Sequence, residues 1–121
     1  MLKKLRQICL ALPETAEVKA WGHPNFRVAN KTFAVLEEYK GKLSIAFKVA
    51  KAHQYLFLKD PRFYLTPYIG QHRWISLIVD GRINWNEVQH LVDDSFRLAA
   101  PKRLLSHMDG KHAQGRRTAK K

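Results

Sequence analysis

The most regular pattern of apolar and polar positions lies between Trp85 and Ala99. Apolar residues recur there at steps of three and four, the spacing of one helix face, and Ser95 falls among these core-facing positions. Asn84 precedes the run and Glu87 stands three positions later, a pair that is typical of a capping box. The pattern therefore predicts an amphipathic helix that begins after Asn84.

Two further segments have the same helical spacing. Residues 2–12 predict a helix that Pro13 ends, and the step recurs from Val49 to Lys59, where a following Asp-Pro pair ends the run. Cys9, the only cysteine, lies on the apolar side of the first of these helices. A single cysteine cannot form an intramolecular disulfide, so we expect a buried and unreactive thiol.

Short apolar or alternating runs, separated by turn residues, predict five strands. These strands are Phe26–Val28, Thr32–Glu37, Leu43–Phe47, Arg62–Leu65 and Trp74–Val79. Tight turns are expected around Asn30 and Gly41, because asparagine and glycine tolerate positive φ. They join the first three strands into an antiparallel meander. Residues 14–22 have no clean periodicity and are expected to form a connector.

The resulting order of elements is α-β-β-β-α-β-β-α. Helices kept separate from antiparallel strands favour an α+β fold, a two-layer sandwich in which helices cover the sheet. The chain is long enough to bury a core without disulfides or a metal. We expect one domain over residues 1–105 and a basic, flexible tail over residues 106–121, which is too polar to pack.

Charge is the most unusual feature of the composition. The chain has 22 Lys and Arg against 10 Asp and Glu, a formal net charge of +12, which indicates polyanionic partners. Residues 101–121 alone hold seven basic residues against one acidic residue. Such a tail is typical of proteins that contact nucleic acid, but in other proteins a basic tail only increases solubility. Both interpretations stay open.

Several basic and aromatic residues are candidates for nucleic-acid binding. Arg73 stands beside Trp74, and a guanidinium group next to an aromatic ring can hold a phosphate or stack on a base. Arg27 and Lys31 lie on either side of the first predicted turn. With Lys42, Lys48 and Lys51 they can line one edge of the predicted meander and contact phosphates. The tail supplies the remaining candidates, Lys111, Arg116, Arg117, Lys120 and Lys121. A packed Trp74 and solvated strand ends explain the same residues without a ligand.

No pattern in the sequence predicts catalysis or metal binding. The six histidines lack zinc-site spacing, and the chain has neither a nucleophile elbow nor a glycine-rich phosphate loop. We therefore expect no enzymatic activity, no metal and no cofactor. No stretch approaches the roughly 20 apolar residues of a membrane helix, and no signal-peptide cleavage pattern is present, so cytoplasmic residence is predicted.

Four blocks of the sequence resemble the MmcQ/YjbR family. They are LPETAE at 12–17, FRVANKTFA at 26–34, TPYIGQHRWISL at 66–77 and DDSFRLAAPKRL at 93–104, in the family's order. The resemblance implies a compact α+β fold similar to the type III secretion chaperones. It also implies DNA binding, by which members are commonly described, and it carries over no agreed catalytic residues.

DNA binding through largely electrostatic phosphate contacts is the leading functional hypothesis from the sequence. One alternative is a protein-interaction or chaperone-like module that uses the open sheet face or an edge strand. Another is a small-ligand binder near Tyr68 and Trp74. The salt dependence of DNA affinity distinguishes the first hypothesis from the other two.

Overall fold

A computed structural model describes residues 1–67, 69–79 and 81–108. Within these residues one six-stranded sheet has the spatial order β1-β2-β3-β4-β6-β5, and every neighbouring pair of strands is antiparallel. The strands are β1 (Thr15–Ala20), β2 (His23–Val28), β3 (Lys31–Tyr39), β4 (Lys42–Lys48), β5 (Phe63–Leu65) and β6 (Trp74–Ile78). The helices are α1 (Leu2–Leu10), α2 (Lys51–Phe57) and α3 (Trp85–Ala99). The predicted α+β class with an antiparallel sheet is confirmed.

The expectation of a connector over residues 14–22 is wrong. This segment forms β1, which pairs with β2 along its whole length. Its Glu17 lies opposite Phe26, on the helix side of the sheet, and bonds Arg6 of α1. Because an ion pair replaces apolar packing here, the period-two apolar signal of a strand is missing. The order of elements is therefore α-β-β-β-β-α-β-β-α.

Two-residue turns join the four consecutive strands β1 to β4. In each turn both residues have positive φ: Trp21 and Gly22 (57° and 80°), Ala29 and Asn30 (50° and 65°), and Lys40 and Gly41 (52° and 78°). This is the pattern of type I′ turns, whose twist matches that of paired strands. The predicted turns at Asn30 and Gly41 are confirmed. The turn at Trp21 was missed together with β1.

A β-bulge shapes the middle of the sheet. The pairing of β2 with β3 shifts between Phe26 and Arg27, which leaves Phe33 as an extra residue in β3. Phe33 and the following Ala34 are both buried in the core on the helix side. The Phe33 ring meets Phe96 of α3 edge to face, with 5.5 Å between ring centroids. The bulge therefore gives the core two consecutive side chains from one strand.

Ser95 of α3 joins the helix to the sheet at this bulge. Its hydroxyl donates to the carbonyl oxygen of Phe33 at 2.6 Å and accepts from the N–H of Lys48 at 2.9 Å. The side chain is fully buried. One hydroxyl thus satisfies an acceptor of β3 and a donor of β4 where the ladder is irregular.

The main core lies between the sheet and the two helices α1 and α3. Its largest fully buried side chains are Phe26, Phe33, Phe47, Phe96, Leu5, Ile45 and Ile75. Cys9 is also fully buried, as expected, and burial raises the pKa of its thiol. α2 packs beside β6 and buries none of its own residues completely. Neither α1 nor α3 covers the opposite face of the sheet.

The N-terminus of α3 is capped by Asn84. Its side-chain oxygen accepts from the N–H groups of Asn86 at 3.1 Å and Glu87 at 3.2 Å. Glu87 does not complete a capping box. It bonds both terminal nitrogens of Arg62, which also bonds Asp60. The predicted cap is confirmed, but the predicted role of Glu87 is wrong because a neighbouring arginine attracts the carboxylate more strongly than a backbone N–H.

A further helical segment over residues 102–108 follows α3. Leu104 of this segment is buried against the core, and Arg103 bonds Glu14 at the other end of the chain. The expected tail starts at residue 106, so its first three residues belong to the segment. Residues 109–121 lie outside the described part. None of the described helices combines the length and the apolar character that crossing a membrane requires.

Replacing Ser95 with alanine should lower the free energy of unfolding by about 1–3 kcal/mol, because a buried N–H and a buried carbonyl lose their partner. The melting temperature should fall by roughly 4–8 °C per kcal/mol, measured by circular dichroism. Ser106→Ala changes the same side chain at an exposed position and is the matched control. Equal melting temperatures for the two variants would contradict the bridging role.

The Cys9 thiol should not react with an aromatic disulfide reagent at pH 8 while the protein is folded. Burial blocks access, and the raised pKa leaves little thiolate. In denaturant one thiol per chain should react at the rate of an ordinary cysteine. Absorbance of the released thiolate measures both rates, and fast reaction of the folded protein would show that α1 opens from the sheet.

Candidate functional site

The face of the sheet opposite α1 and α3 contains a groove of about 760 Å³. Strands β2 and β3 form its floor, and the β1–β2 turn stands at its rim. One wall is formed by Thr66, Pro67, Ile69 and Trp74. We call it the sheet groove. Its volume lies within the range of about 300–1,000 Å³ that is common for small-molecule sites.

The strand register sets the order of polar groups along the sheet groove. Arg27, Asn25 and His23 alternate along β2, so their side chains share the groove face. Arg27 and His23 are four residues apart, roughly 13 Å at about 3.3 Å per residue. Glu37 of β3 lies at the His23 end. The sheet groove therefore has a cationic end and a carboxylate end.

Trp74 closes one side of the sheet groove. Its side chain is only 8% exposed and packs with Val35 and Ala46 in a small apolar cluster on the groove face, separate from the main core. Trp74 is therefore packed against the protein, as the alternative interpretation of this residue from the sequence expects. The indole is a wall of the groove, and most of its surface is already in contact with protein.

Hydroxyl pairs close the neighbouring part of this face. Thr66 and Ser76 share a hydrogen bond of 2.9 Å between their hydroxyls, and Tyr64 donates to the hydroxyl of Ser44 at 2.9 Å. Ser44, Ser76 and Thr66 are all buried. Because these groups satisfy one another, they hold the wall in place and leave little hydrogen-bonding capacity for a ligand. Recognition therefore falls to the β2 and β3 side of the groove.

Glu37 is a half-buried carboxyl group on the floor of the sheet groove. Burial raises its pKa, and the nearby His23 lowers the pKa by a smaller amount. Within the described part of the chain it joins none of the hydrogen bonds or ion pairs, whereas Glu14, Glu17 and Glu87 each bond an arginine. A desolvated carboxyl without a hydrogen-bond partner costs stability and is characteristic of binding sites.

Arg27 and Asn25 are held in place by neighbours. The Nε of Arg27 donates to the Thr32 hydroxyl at 3.1 Å, and none of the described contacts occupies its two terminal nitrogens. The Asn25 amide nitrogen donates to the carbonyl of His23 at 3.0 Å, which leaves its oxygen as an acceptor. The sheet groove therefore offers hydrogen-bond donors at its Arg27 end and acceptor oxygens of Asn25 and Glu37 toward its other end.

Trp21 stands at the rim of the sheet groove and is 96% exposed. It occupies the first position of the type I′ turn, with φ 57°. Asparagine or glycine tolerates that conformation better, and water is an unfavourable environment for an indole. The turn therefore carries both a conformational and a hydrophobic cost at the edge of the groove.

The model of the YjbR family matches residues 10–98. The chain belongs to the YjbR family. This confirms the resemblance that the four sequence blocks indicate. A comparison with curated proteins finds no match.

Solved structures similar to this YjbR-family chain support the fold. A Pseudomonas syringae protein of known crystal structure has a TM-score of 0.70 and 19% identity, over 80% of this chain and 97% of the other. A Deinococcus radiodurans protein with a DUF419 domain has a TM-score of 0.71 and 17% identity, over 81% and 77%. A Bacillus subtilis protein of the DUF1801 family has a TM-score of 0.54 and 14% identity, over 78% and 73%. At these identities the likeness concerns the fold alone.

The structure places five of the six predicted basic residues of the folded domain at one end of the sheet. Arg27 and Lys31 flank the β2–β3 turn, and Lys48 ends β4 opposite the first residue of β6, which Arg73 precedes. Lys51 opens α2 beside them. We call these five residues the basic end. The sixth predicted basic residue, Lys42, begins β4 and lies at the opposite end of the sheet.

The remaining predicted site residues lie outside the described part of the chain. They are Tyr68 and the tail residues Lys111, Arg116, Arg117, Lys120 and Lys121. Sequence reasoning also missed three residues of the sheet groove, Trp21, Asn25 and Glu37. The available signal was weak, because it consisted of single polar or aromatic residues in strands and a turn. Among the described residues no group of three or more His, Cys, Asp or Glu is placed to hold a metal ion.

Glu37→Gln should raise the melting temperature at pH 7. The pKa of Glu37 is higher in the folded protein than in the unfolded chain, so ionisation of this carboxyl favours unfolding. The protonated carboxyl contributes stability at low pH, and this contribution is lost as pH rises through the folded pKa. Glutamine cannot ionise, so the gain should shrink near pH 4. Glu38→Gln is the matched control at an exposed neighbour and should change stability by less than about 0.5 kcal/mol. A lower melting temperature for Glu37→Gln at pH 7 would show that the carboxylate is stabilising.

Proposed function

We propose that this YjbR-family protein is a non-enzymatic, cytoplasmic DNA-binding protein that holds the phosphate backbone electrostatically. The observation that carries the proposal is the basic end, where positions in β2, β3, β4 and α2 and the residue before β6 lie at the same end of the sheet. Lysine and arginine side chains bind phosphates without reading base sequence. Affinity should therefore depend strongly on salt and weakly on duplex sequence.

The distribution of ion pairs supports this use of the basic end. Four arginines are engaged with carboxylates elsewhere on the surface, namely Arg6, Arg62, Arg97 and Arg103. Within the described residues, Lys31, Lys48 and Arg73 form no such pair. Their charge is not neutralised by neighbouring carboxylates, so it is available to an external polyanion.

The width of the basic end suits a short stretch of nucleic-acid backbone. From β2 to β6 the sheet crosses three strand spacings of about 4.8 Å, so Arg27 and Arg73 are separated by roughly 14 Å. Arg73 is exposed and adopts φ 70°, which places it outside the ladder of β6. The sequence beyond residue 108 adds five further basic residues, Lys111, Arg116, Arg117, Lys120 and Lys121.

The logarithm of duplex affinity should fall with the logarithm of salt concentration at a slope of roughly −4 to −5, for about four to six neutralised phosphates. Deleting residues 110–121 removes five positive charges, so the slope should become shallower by a few units while the melting temperature changes little. Fluorescence anisotropy with a labelled duplex measures the slope. If the deletion leaves the slope unchanged, the tail does not contact phosphates.

Arg73→Ala should make the slope shallower by about one unit, the value of one phosphate contact. Arg82→Ala removes the same exposed side chain after the other end of β6 and is the matched control, which should leave the slope nearly unchanged. If both variants have the same effect, the basic end has no special role. No measurable binding near physiological salt would favour the interaction-module alternative.

A further inference from the structure

We infer that the sheet groove binds one unstacked guanine nucleotide, with its phosphate at Arg27 and its base between Glu37 and Trp21. Free guanosine monophosphate and a guanine nucleotide within a DNA single strand carry the same groups. For the strand-borne source the inference rests on the proposed DNA binding. For the free nucleotide it stands independently.

The carboxylate end of the sheet groove selects the base. Unpaired bases are read on their Watson–Crick edges, and guanine presents two adjacent donors there, the ring N1–H and the exocyclic amino group. A carboxylate offers two acceptor oxygens at matching positions. The Glu37 carboxyl is half-buried, and none of the described hydrogen bonds or ion pairs engages it, so its bonds to guanine would form in partly dehydrated surroundings, where they are stronger. Adenine has no such donor pair.

The exposed indole of Trp21 supplies the stacking surface. Stacking of a base on an aromatic side chain is favourable enough to offset the cost of holding a non-glycine residue at positive φ. Trp21 borders the sheet groove at the end that contains His23 and Glu37. A planar base that stacks on the indole explains both the exposure and the position of Trp21. A simple amine bound to the Glu37 carboxylate explains neither.

Arg27 supplies the phosphate contact. Its side chain is fixed by the Thr32 hydroxyl, so its terminal nitrogens are preorganised for the paired hydrogen bonds that arginine forms with phosphate. Along the β2 backbone, the positions of Arg27 and His23 at the two ends of the groove are roughly 13 Å apart. One mononucleotide with a hydrogen bond of about 3 Å at each end spans that distance. Arg27 also belongs to the basic end, so a strand that leaves the groove continues over the other cations.

The first experiment titrates the full-length protein with guanosine monophosphate, adenosine monophosphate and guanosine by calorimetry. We expect guanosine monophosphate to bind about tenfold or more tightly than either other compound. Glu37→Gln should abolish the preference for guanine over adenine, and Asp94→Asn, the same kind of change on the exposed face of α3, should keep it. Arg27→Gln should weaken binding of the monophosphate but leave guanosine unaffected.

Trp21→Gly tests the stacking contact without a risk to folding, since glycine suits the turn and the indole is exposed. This substitution should lower the affinity for guanosine monophosphate about tenfold, while the melting temperature stays equal or rises. Absence of guanine preference in the wild-type protein, or unchanged preference in Glu37→Gln, would overturn the inference.

A second experiment separates the nucleotide sources and the two proposals. Labelled dT octamers with and without one central dG are compared with a duplex of the same length. If the source is a strand, the dG octamer binds more tightly than the dT octamer, and Glu37→Gln removes the difference. If the source is the free nucleotide, the octamers bind equally while guanosine monophosphate still competes for the groove.

Duplex binding provides the independent readout. Its salt slope should respond to the tail deletion and to Arg73→Ala, but not to Glu37→Gln or Trp21→Gly. Loss of guanine recognition with an intact duplex slope therefore overturns only the groove inference. Loss of the duplex slope with intact binding of guanosine monophosphate overturns only the proposed function.

Discussion

The β-bulge at Phe33, closed by the hydroxyl of Ser95, is the constraint on which the two faces of the sheet depend. Because side chains alternate along a strand, one extra residue reverses the faces of everything beyond it. With the bulge, Phe33 and Ala34 enter the core, while Thr32 and Val35 on either side both face the sheet groove. Core and groove are thus set by the same backbone irregularity.

Two unfavourable features lie on the groove face of the sheet. On the helix side, polar groups are satisfied, as Ser95 and the ion pair of Arg6 with Glu17 illustrate. On the groove side, Glu37 is desolvated without a described partner and Trp21 is exposed at positive φ. Groups that lower stability in this way are common at binding sites, so the groove face is the candidate binding surface.

Membership of the YjbR family and the likeness to solved structures establish the architecture, whereas function depends on side chains placed on it. Arg27 connects the two surfaces that matter here. It is the cationic end of the sheet groove and a member of the basic end. The two proposals therefore describe neighbouring parts of one surface, the first using net charge and the second using directed hydrogen bonds and stacking.

Local sequence patterns determined α3, its cap at Asn84, the turns at Asn30 and Gly41 and the α+β class, because periodicity and turn chemistry act between residues close in the chain. They did not determine β1, since Glu17 is stabilised by Arg6 of another element rather than by apolar burial. Nor did they determine the sheet groove. Arg27 and Glu37 meet across strands through a register that the bulge shifts, and the burial that raises the pKa of Glu37 exists only once the sheet has formed.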